Sequence, residues 1–319
     1  MLNPLRDFTT SSVIAIIAAI ASGCGGSGAE PTAPPDEPHG ASSTTSFSVV
    51  AVGDIACPPG SPTSRTRCGQ SLTARLARRL DPTVVLTLGD EQYNSGKLEE
   101  FNATFDSSWG RLLEITRPVP GNHEYAASGV AAGYRTYFGK LAIPERTTWY
   151  SFDVGPWHLI ALDSNCDEVP GGCDTGSPQQ RWLSSDLRAN DSTCTLAYWH
   201  HPRFSSGVLH GSSEDVDELY ATLDSAGADV ILAGHEHSYE RFAPQDHTGA
   251  ATEQGIRQFV VGTGGKSLYP FGRPIANSQV RSNDSFGVLE LRLMPDSYRW
   301  RFHPTSPRGT SDHGEGRCH

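Results

Sequence analysis

The chain has 319 residues, 37% of them hydrophobic and 19% charged, with a formal net charge of −11. That length can bury a full core, and because the two long polar or Pro/Gly-rich stretches lie at the ends, one central globular domain is the simplest arrangement. The acidity, with no run of clustered Lys and Arg, excludes a nucleic-acid surface; it leaves an anionic substrate open, since carboxylates that hold cations count as charge although the ions neutralise them.

In chain order, the apolar run at residues 13–21 falls well short of the roughly 20 residues that span a bilayer, but suits the core of an export signal. Its basic flank is weak, because Asp7 offsets Arg6. The following Ala21-Ser22-Gly23-Cys24 resembles a bacterial lipobox with Ala where Leu is usual, so a lipid on Cys24 would tether the chain to a membrane; the alternative is an ordinary cleavage site with a free or bonded Cys24. Either way the expectation is an exported protein of bacterial type, a cell-surface lipoprotein or secreted. Setting Cys24 aside leaves six cysteines, an even set suited to disulfides in an oxidising compartment. Local closure pairs Cys57 with Cys68 and Cys166 with Cys173, which leaves Cys194 to fasten the tail at Cys318. The predicted segments are a signal at 1–24, a disordered linker at 25–46, a folded domain at 47–303 and a polar, Gly-rich tail at 304–319.

Inside the domain, short apolar runs at 47–52, 84–88, 157–162, 195–199, 230–233 and 259–261 read as buried strands. Helical spacing falls between several of them, at 71–80, 97–113, 178–188 and 214–226. Late runs at 256–261, 286–294 and 298–302 look like antiparallel partners. The pattern predicts an α/β layered domain, with mixed β-sheets sandwiched and flanked by helices.

Groups able to hold metal follow those strands: Gly53-Asp54, Gly89-Asp90-Glu91-Gln92-Tyr93, Gly121-Asn122-His123-Glu124, Trp199-His200-His201-Pro202 and Gly234-His235-Glu236-His237. Each alone is weak, since Gly-Asp after a strand is commonly an ordinary turn. Five of them at strand ends are harder to ascribe to chance, because the carboxyl ends of strands form the ligand crevice of α/β sheets. Carboxylate, amide, phenol and imidazole suit two hard or borderline ions, and a carboxylate such as Asp90 can bridge ions about 3.5 to 4 Å apart. Glu91 and Glu236 read as solvated or as supports, Glu240 and Arg241 as a structural ion pair, and residues 262–265 as a tight turn without the P-loop pattern.

Over 47–303 these motifs resemble the calcineurin-like metallophosphoesterases, and within them the purple acid phosphatase branch. Tyr93 stands where that branch has GDxxY, and residues 234–241 look like its GHxHxYER run; Asp54-Ile55-Ala56 departs from its DxG. The resemblance implies a metal-dependent phosphoric ester hydrolase in which Asp54, Tyr93 and His237 hold one metal, Asn122, His200 and His235 the other, and Asp90 bridges. It implies Fe(III) at the Tyr93 site beside Fe(II), Zn(II) or Mn(II), and a small phosphate-ester substrate attacked in line by a water or hydroxide held between the ions. His123 then contacts the phosphoryl group and His210 protonates the leaving alkoxide. The resemblance also prefers His200 over His201, since the family places its ligand two positions before Pro, here Pro202, and leaves His201 as a support or simply exposed. The rivals are a phosphodiesterase or nucleotidase on the same centre, and a surface binding module with a structural metal site; no protein partner is predicted.

Overall fold

The structure is a computed structural model that describes residues 45–319. The expected signal, the Cys24 lipobox and most of the linker lie outside the described residues. In chain order the first strands are β1 (Phe47–Val52), β2 (Val84–Leu88) and β3 (Thr116–Val119), with helix α1 (Gln70–Arg79) after β1. Next come β4 (Tyr150–Val154), β5 (Trp157–Ala161), β6 (Cys194–Tyr198) and β7 (Val230–Ala233); helix α2 (Pro178–Ala189) precedes β6 and α3 (Asp217–Ser225) precedes β7. The last strands are β8 (Tyr239–Phe242), β9 (Arg257–Val261), β10 (Ser278–Ser282), β11 (Gly287–Met294), β12 (Ser297–Pro304) and β13 (Asp312–Arg317).

They form two mixed sheets, ordered β13-β12-β11-β1-β2-β3 and β10-β8-β9-β7-β6-β5-β4. Strand alternation assigns the layers. In the second sheet Leu159, Ala161, Leu196, Tyr198, Val230 and Leu232 join one core with Val49, Ala51, Leu86 and Leu289 of the first. Their neighbours Ile160, Ala197, Trp199 and Ile231 turn the other way, to Leu183 of α2 and Leu219 and Leu223 of α3. Ala74 and Ala77 of α1 belong to the same core as the first sheet's strands. Because β1, β2 and β3 run parallel, as do β5, β6, β7 and β9, their carboxyl ends open on a common side.

The strand pairing departs from expectation in one place. β11 and β12 are antiparallel partners, but β9 lies in the other sheet, parallel to β7 and antiparallel to β8. Apolar periodicity identifies a strand without naming its neighbour.

The helix expected at 97–113 is interrupted by a π turn at Phe101–Phe105 and closes as a 3-10 helix at Gly110–Ile115. The Gln92 side chain is the cause: its Oε1 accepts from the Phe105 amide at 3.2 Å and from the Thr104 hydroxyl at 2.7 Å, offering that amide a partner outside the helix.

Residues past 303 also depart from the reading as a polar tail, because β13 adds an edge strand to β12. Its glycines face large rings. Gly314 is opposite Trp300 and Gly316 opposite Tyr298, and a Cβ at either would come within 2.4 Å of the ring atoms. The three disulfides join Cys57 to Cys68, Cys166 to Cys173 and Cys194 to Cys318, as local closure predicted.

Candidate metal centre

Every motif singled out in the sequence sits just past the carboxyl end of a strand: Asp54 after β1, Asp90 after β2, Asn122 after β3, His200 after β6 and His235 after β7. The glycines before them mostly do not make the turn. Among these only Gly89 takes a positive φ, whereas Asp54, Asp90 and His235 themselves do, at 61°, 51° and 69°. Non-glycine residues there are uncommon and cost energy, so the surrounding structure must hold them. The glycines supply room instead: a Cβ on Gly121 would lie 2.2 Å from Asp90 Oδ1, and one on Gly234 2.8 Å from Asp54 Oδ2.

Two groups of donor atoms result. In the first, the Tyr93 hydroxyl lies 2.8 Å from Asp54 Oδ1 and 3.0 Å from His237 Nε2, and those two lie 3.2 Å apart. In the second, His200 Nε2 lies 3.2 Å from Asn122 Oδ1, 3.1 Å from His235 Nδ1 and 3.5 Å from Asp90 Oδ1. Asp90 links the groups, since its carboxylate, that of Asp54 and a nitrogen of His200 lie within 4.8 Å of one another. All seven residues named for metal binding are thus brought together.

Surrounding bonds aim these donors. His200 Nδ1 is 2.8 Å from the Leu88 carbonyl, which fixes that nitrogen as the N–H and leaves Nε2 its lone pair. His237 Nδ1 meets the Ser267 hydroxyl at 2.8 Å, and Tyr269 stacks on the His237 ring at 3.8 Å. Glu124 accepts from the amides of Asp90 at 2.9 Å, Gln92 at 3.1 Å and Gly121 at 2.8 Å, tying two motifs together.

Glu91 and Glu236 are buried rather than solvated. Burial pushes the Glu91 carboxyl up to about 8, while Thr87 donates to it at 2.8 Å. Glu240 and Arg241 form no pair, because adjacent strand residues point to opposite faces. Glu240 accepts from the Ser206 amide at 2.8 Å, and Arg241 bonds Asp312 at 2.7 Å. The 262–265 turn lies against the centre, where a Cβ on Gly262 would sit 2.7 Å from Asp54 Oδ2.

The two expected helpers stand beside the donors. His123 Nε2 is 3.8 Å from Asp90 Oδ2, and its ring sits 4.3 Å from that of Tyr93. The His210 ring is 4.1 Å from that of His235, and its loop is held by Glu236, which accepts from the His210 and Gly211 amides at 2.7 Å. Sequence reasoning missed Ser164, Ser267 and Tyr269 as supports; lying outside the motifs, they carry no local signal.

The donors fit metal ions. Asp54 and Asp90 are 0% and 2% exposed, and among the described residues neither pairs with Lys or Arg. Buried carboxylates need compensating positive charge. Burial raises the Asp90 carboxyl, but His200 and His123 outweigh that and hold it well below the usual range; burial lowers His200, but Asp90 reverses this and pushes it up to about 9. A cation takes the place of such a shared proton. At Tyr93, burial and the charges of Asp54 and Asp90 push the phenol well above its usual value.

Comparison with known proteins gives a consistent picture. Residues 47–239 match the model of the calcineurin-like phosphoesterases. Among curated proteins, the chain is 29% identical to purple acid phosphatase 21 of Arabidopsis thaliana over 71% of its own length and 54% of that protein. It is 29% identical to the Homo sapiens acid phosphatase type 7, over 50% and 41% respectively. The chain therefore spans about half the length of the curated relatives it matches, or less. Its fold is similar to that of a purple acid phosphatase from yellow lupin (Lupinus luteus) seeds, with TM-score 0.70, 19% identity and 86% of this chain and 54% of that one covered. It is also similar to the anchor in the inner membrane complex of Plasmodium, with TM-score 0.61, 16% identity and 86% and 89% covered.

Proposed function

The chain belongs to the calcineurin-like phosphoesterases, and from that premise we propose that it hydrolyses phosphomonoesters as an acid phosphatase of the purple acid type. One observation carries the proposal: two triads of donors, that of Asp54, Tyr93 and His237 all buried and that of Asn122, His200 and His235 only in part, with the buried Asp90 between them. In this reading Asp54, Tyr93 and His237 would hold one ion and Asn122, His200 and His235 the second, with Asp90 available to both. The ions would supply Lewis acidity toward the phosphoryl oxygens and acidify a water nucleophile. His123, beside Asp90 and Tyr93, orients the phosphoryl group. His210, on the loop anchored by Glu236, delivers the proton to the departing alkoxide oxygen. By likeness to the purple acid phosphatases, Fe(III) at the Tyr93 site beside Fe(II), Zn(II) or Mn(II) is the pair proposed.

Fold alone does not require catalysis, and one structural neighbour is described as an anchor. The complete donor set favours hydrolysis over that reading, because a vestigial centre has no reason to keep all seven groups. Export is inferred from the N-terminal pattern and supported by the three disulfides, which suit an oxidising compartment.

Asp90→Asn is the direct test, since Asn tolerates the left-handed backbone and keeps the shape while losing the charge. Wild type should carry two ions per chain by elemental analysis, absorb visible light if the Tyr93 site holds Fe(III), and cleave p-nitrophenyl phosphate. The variant should lose turnover and bound metal with an unchanged circular dichroism spectrum. A fully active variant would remove the basis of the assignment.

A further inference from the structure

Beside the centre, the Ser164 hydroxyl makes three close contacts. Its oxygen receives the backbone N–H of His200 at 3.2 Å and of His201 at 2.9 Å, and lies 2.8 Å from His201 Nδ1. With both lone pairs engaged, the hydroxyl has only its proton left to offer, so it donates to Nδ1. The neutral His201 ring then carries its own proton on Nε2. That tautomer is set by the protein, because Ser164 is 4% exposed and its two amide donors are fixed in the backbone.

His201 Nε2 has no protein partner among the described residues, and it is not one of the unpartnered polar atoms sealed from solvent. It therefore keeps some access to solvent. A ring nitrogen of His201 lies within 4.8 Å of the donor nitrogens of His200 and His235. The His201 ring sits 4.4 Å from that of His235, whose other side faces His210 at 4.1 Å. An imidazole with its proton on Nε2 has no lone pair there for a cation, but is a fixed donor to an anion.

We propose that His201 contacts the substrate directly, its Nε2–H donating to an oxygen of the tetrahedral oxyanion bound at the centre. The inference rests on the phosphoesterase reading and adds a residue to it. Ser164 is the positioning residue, acting through the tautomer it imposes.

The test compares His201→Gln with His201→Asn, using inorganic phosphate as a competitive inhibitor of p-nitrophenyl phosphate hydrolysis. A Gln amide nitrogen can reach the place of Nε2, whereas that of Asn reaches only the place of Nδ1. The Asn variant should bind phosphate about tenfold or more weakly, the loss expected for a bond to a charged acceptor, while Gln stays within about threefold of wild type. Both should keep two ions per chain by elemental analysis. Phosphate inhibition unchanged in the Asn variant, or equal loss in both, would overturn the proposal; loss of metal from both would make His201 a ligand and overturn it too. A wild type that neither hydrolyses the ester nor binds phosphate would instead fail the phosphoesterase reading itself.

Discussion

Three of the proposed ligands hold left-handed backbone because neighbouring groups leave them no alternative. Asp54 Oδ2 accepts from the His235 amide at 2.8 Å, and Asp90 Oδ1 accepts from the His123 amide at 2.9 Å, so each motif helps fix the next. Small changes of volume should therefore act as strongly as loss of a ligand. Gly121→Ala is the sharpest case: its Cβ would meet Asp90 Oδ1 at 2.2 Å and the Asp90 amide nitrogen at 2.4 Å. We expect that variant to fold but to bind metal at least tenfold more weakly, read by equilibrium dialysis against zinc, by analogy with the loss of groups that orient metal ligands. Metal affinity equal to wild type would mean that Asp90 is not held in the geometry described.

His158 gives a pH prediction at the same scale. It stands on β5 across from Asp153 of β4, with Nδ1 2.9 Å from that carboxylate and Nε2 2.8 Å from Asp186 of α2; Asn190 is 2.9 Å from Nδ1. Burial lowers its pKa, but the two carboxylates outweigh that and raise it. A raised histidine stabilises the fold fully below its unfolded value of about 6.5, and the contribution fades as pH rises through the folded value. The melting temperature of wild type should thus fall from pH 6 to pH 9 by more than that of His158→Asn. Parallel curves would show that the pairs contribute nothing.

Among elements, the parallel strands set where the loops open, and the disulfides fasten what the hydrophobic layers leave loose. Cys194 begins β6, at the opposite end of that strand from His200, and ties it to Cys318 after β13 across a separation of 124 residues. A chain-entropy argument gives such a long loop about 4 to 5 kcal/mol at most. The double variant Cys194→Ser with Cys318→Ser should melt several degrees lower, yet keep kcat near wild type at 25 °C, because the bond lies away from the carboxyl ends that carry the centre. A large fall in kcat with little change in melting would reverse that assignment.

For the whole molecule, the centre joins loops from both sheets, so bound ions should strengthen the fold as well as supply chemistry. An ion present at about a hundred times its dissociation constant adds about 2.7 kcal/mol. Treatment with a chelator should lower the melting temperature by about 5 to 10 °C, with recovery on adding metal back, given the shift per kcal/mol usual for domains of this size. Calorimetry of the stripped and reloaded protein measures it, and a melting temperature indifferent to metal would argue against ions bridging the two sheets.

The sequence by itself determined the strands that lead into the site, the helices at 71–80 and 178–188, the three disulfide pairs and the residues that converge. Those features are local, resting on strand periodicity, motifs that directly follow an apolar run and the short spacing of Cys57–Cys68 and Cys166–Cys173; only Cys194–Cys318, the pair left once those two close, spans 124 residues. Tertiary structure alone decided that β9 and β11 belong to different sheets, that the Gly-rich end forms β13 against Tyr298 and Trp300, and that Glu91 and Glu236 are buried. It also decided that Arg241 pairs with Asp312 rather than with Glu240, and that Ser164 sets the His201 proton. Each of these depends on which distant segments meet, and a sequence pattern records the periodicity of one segment without recording its partner.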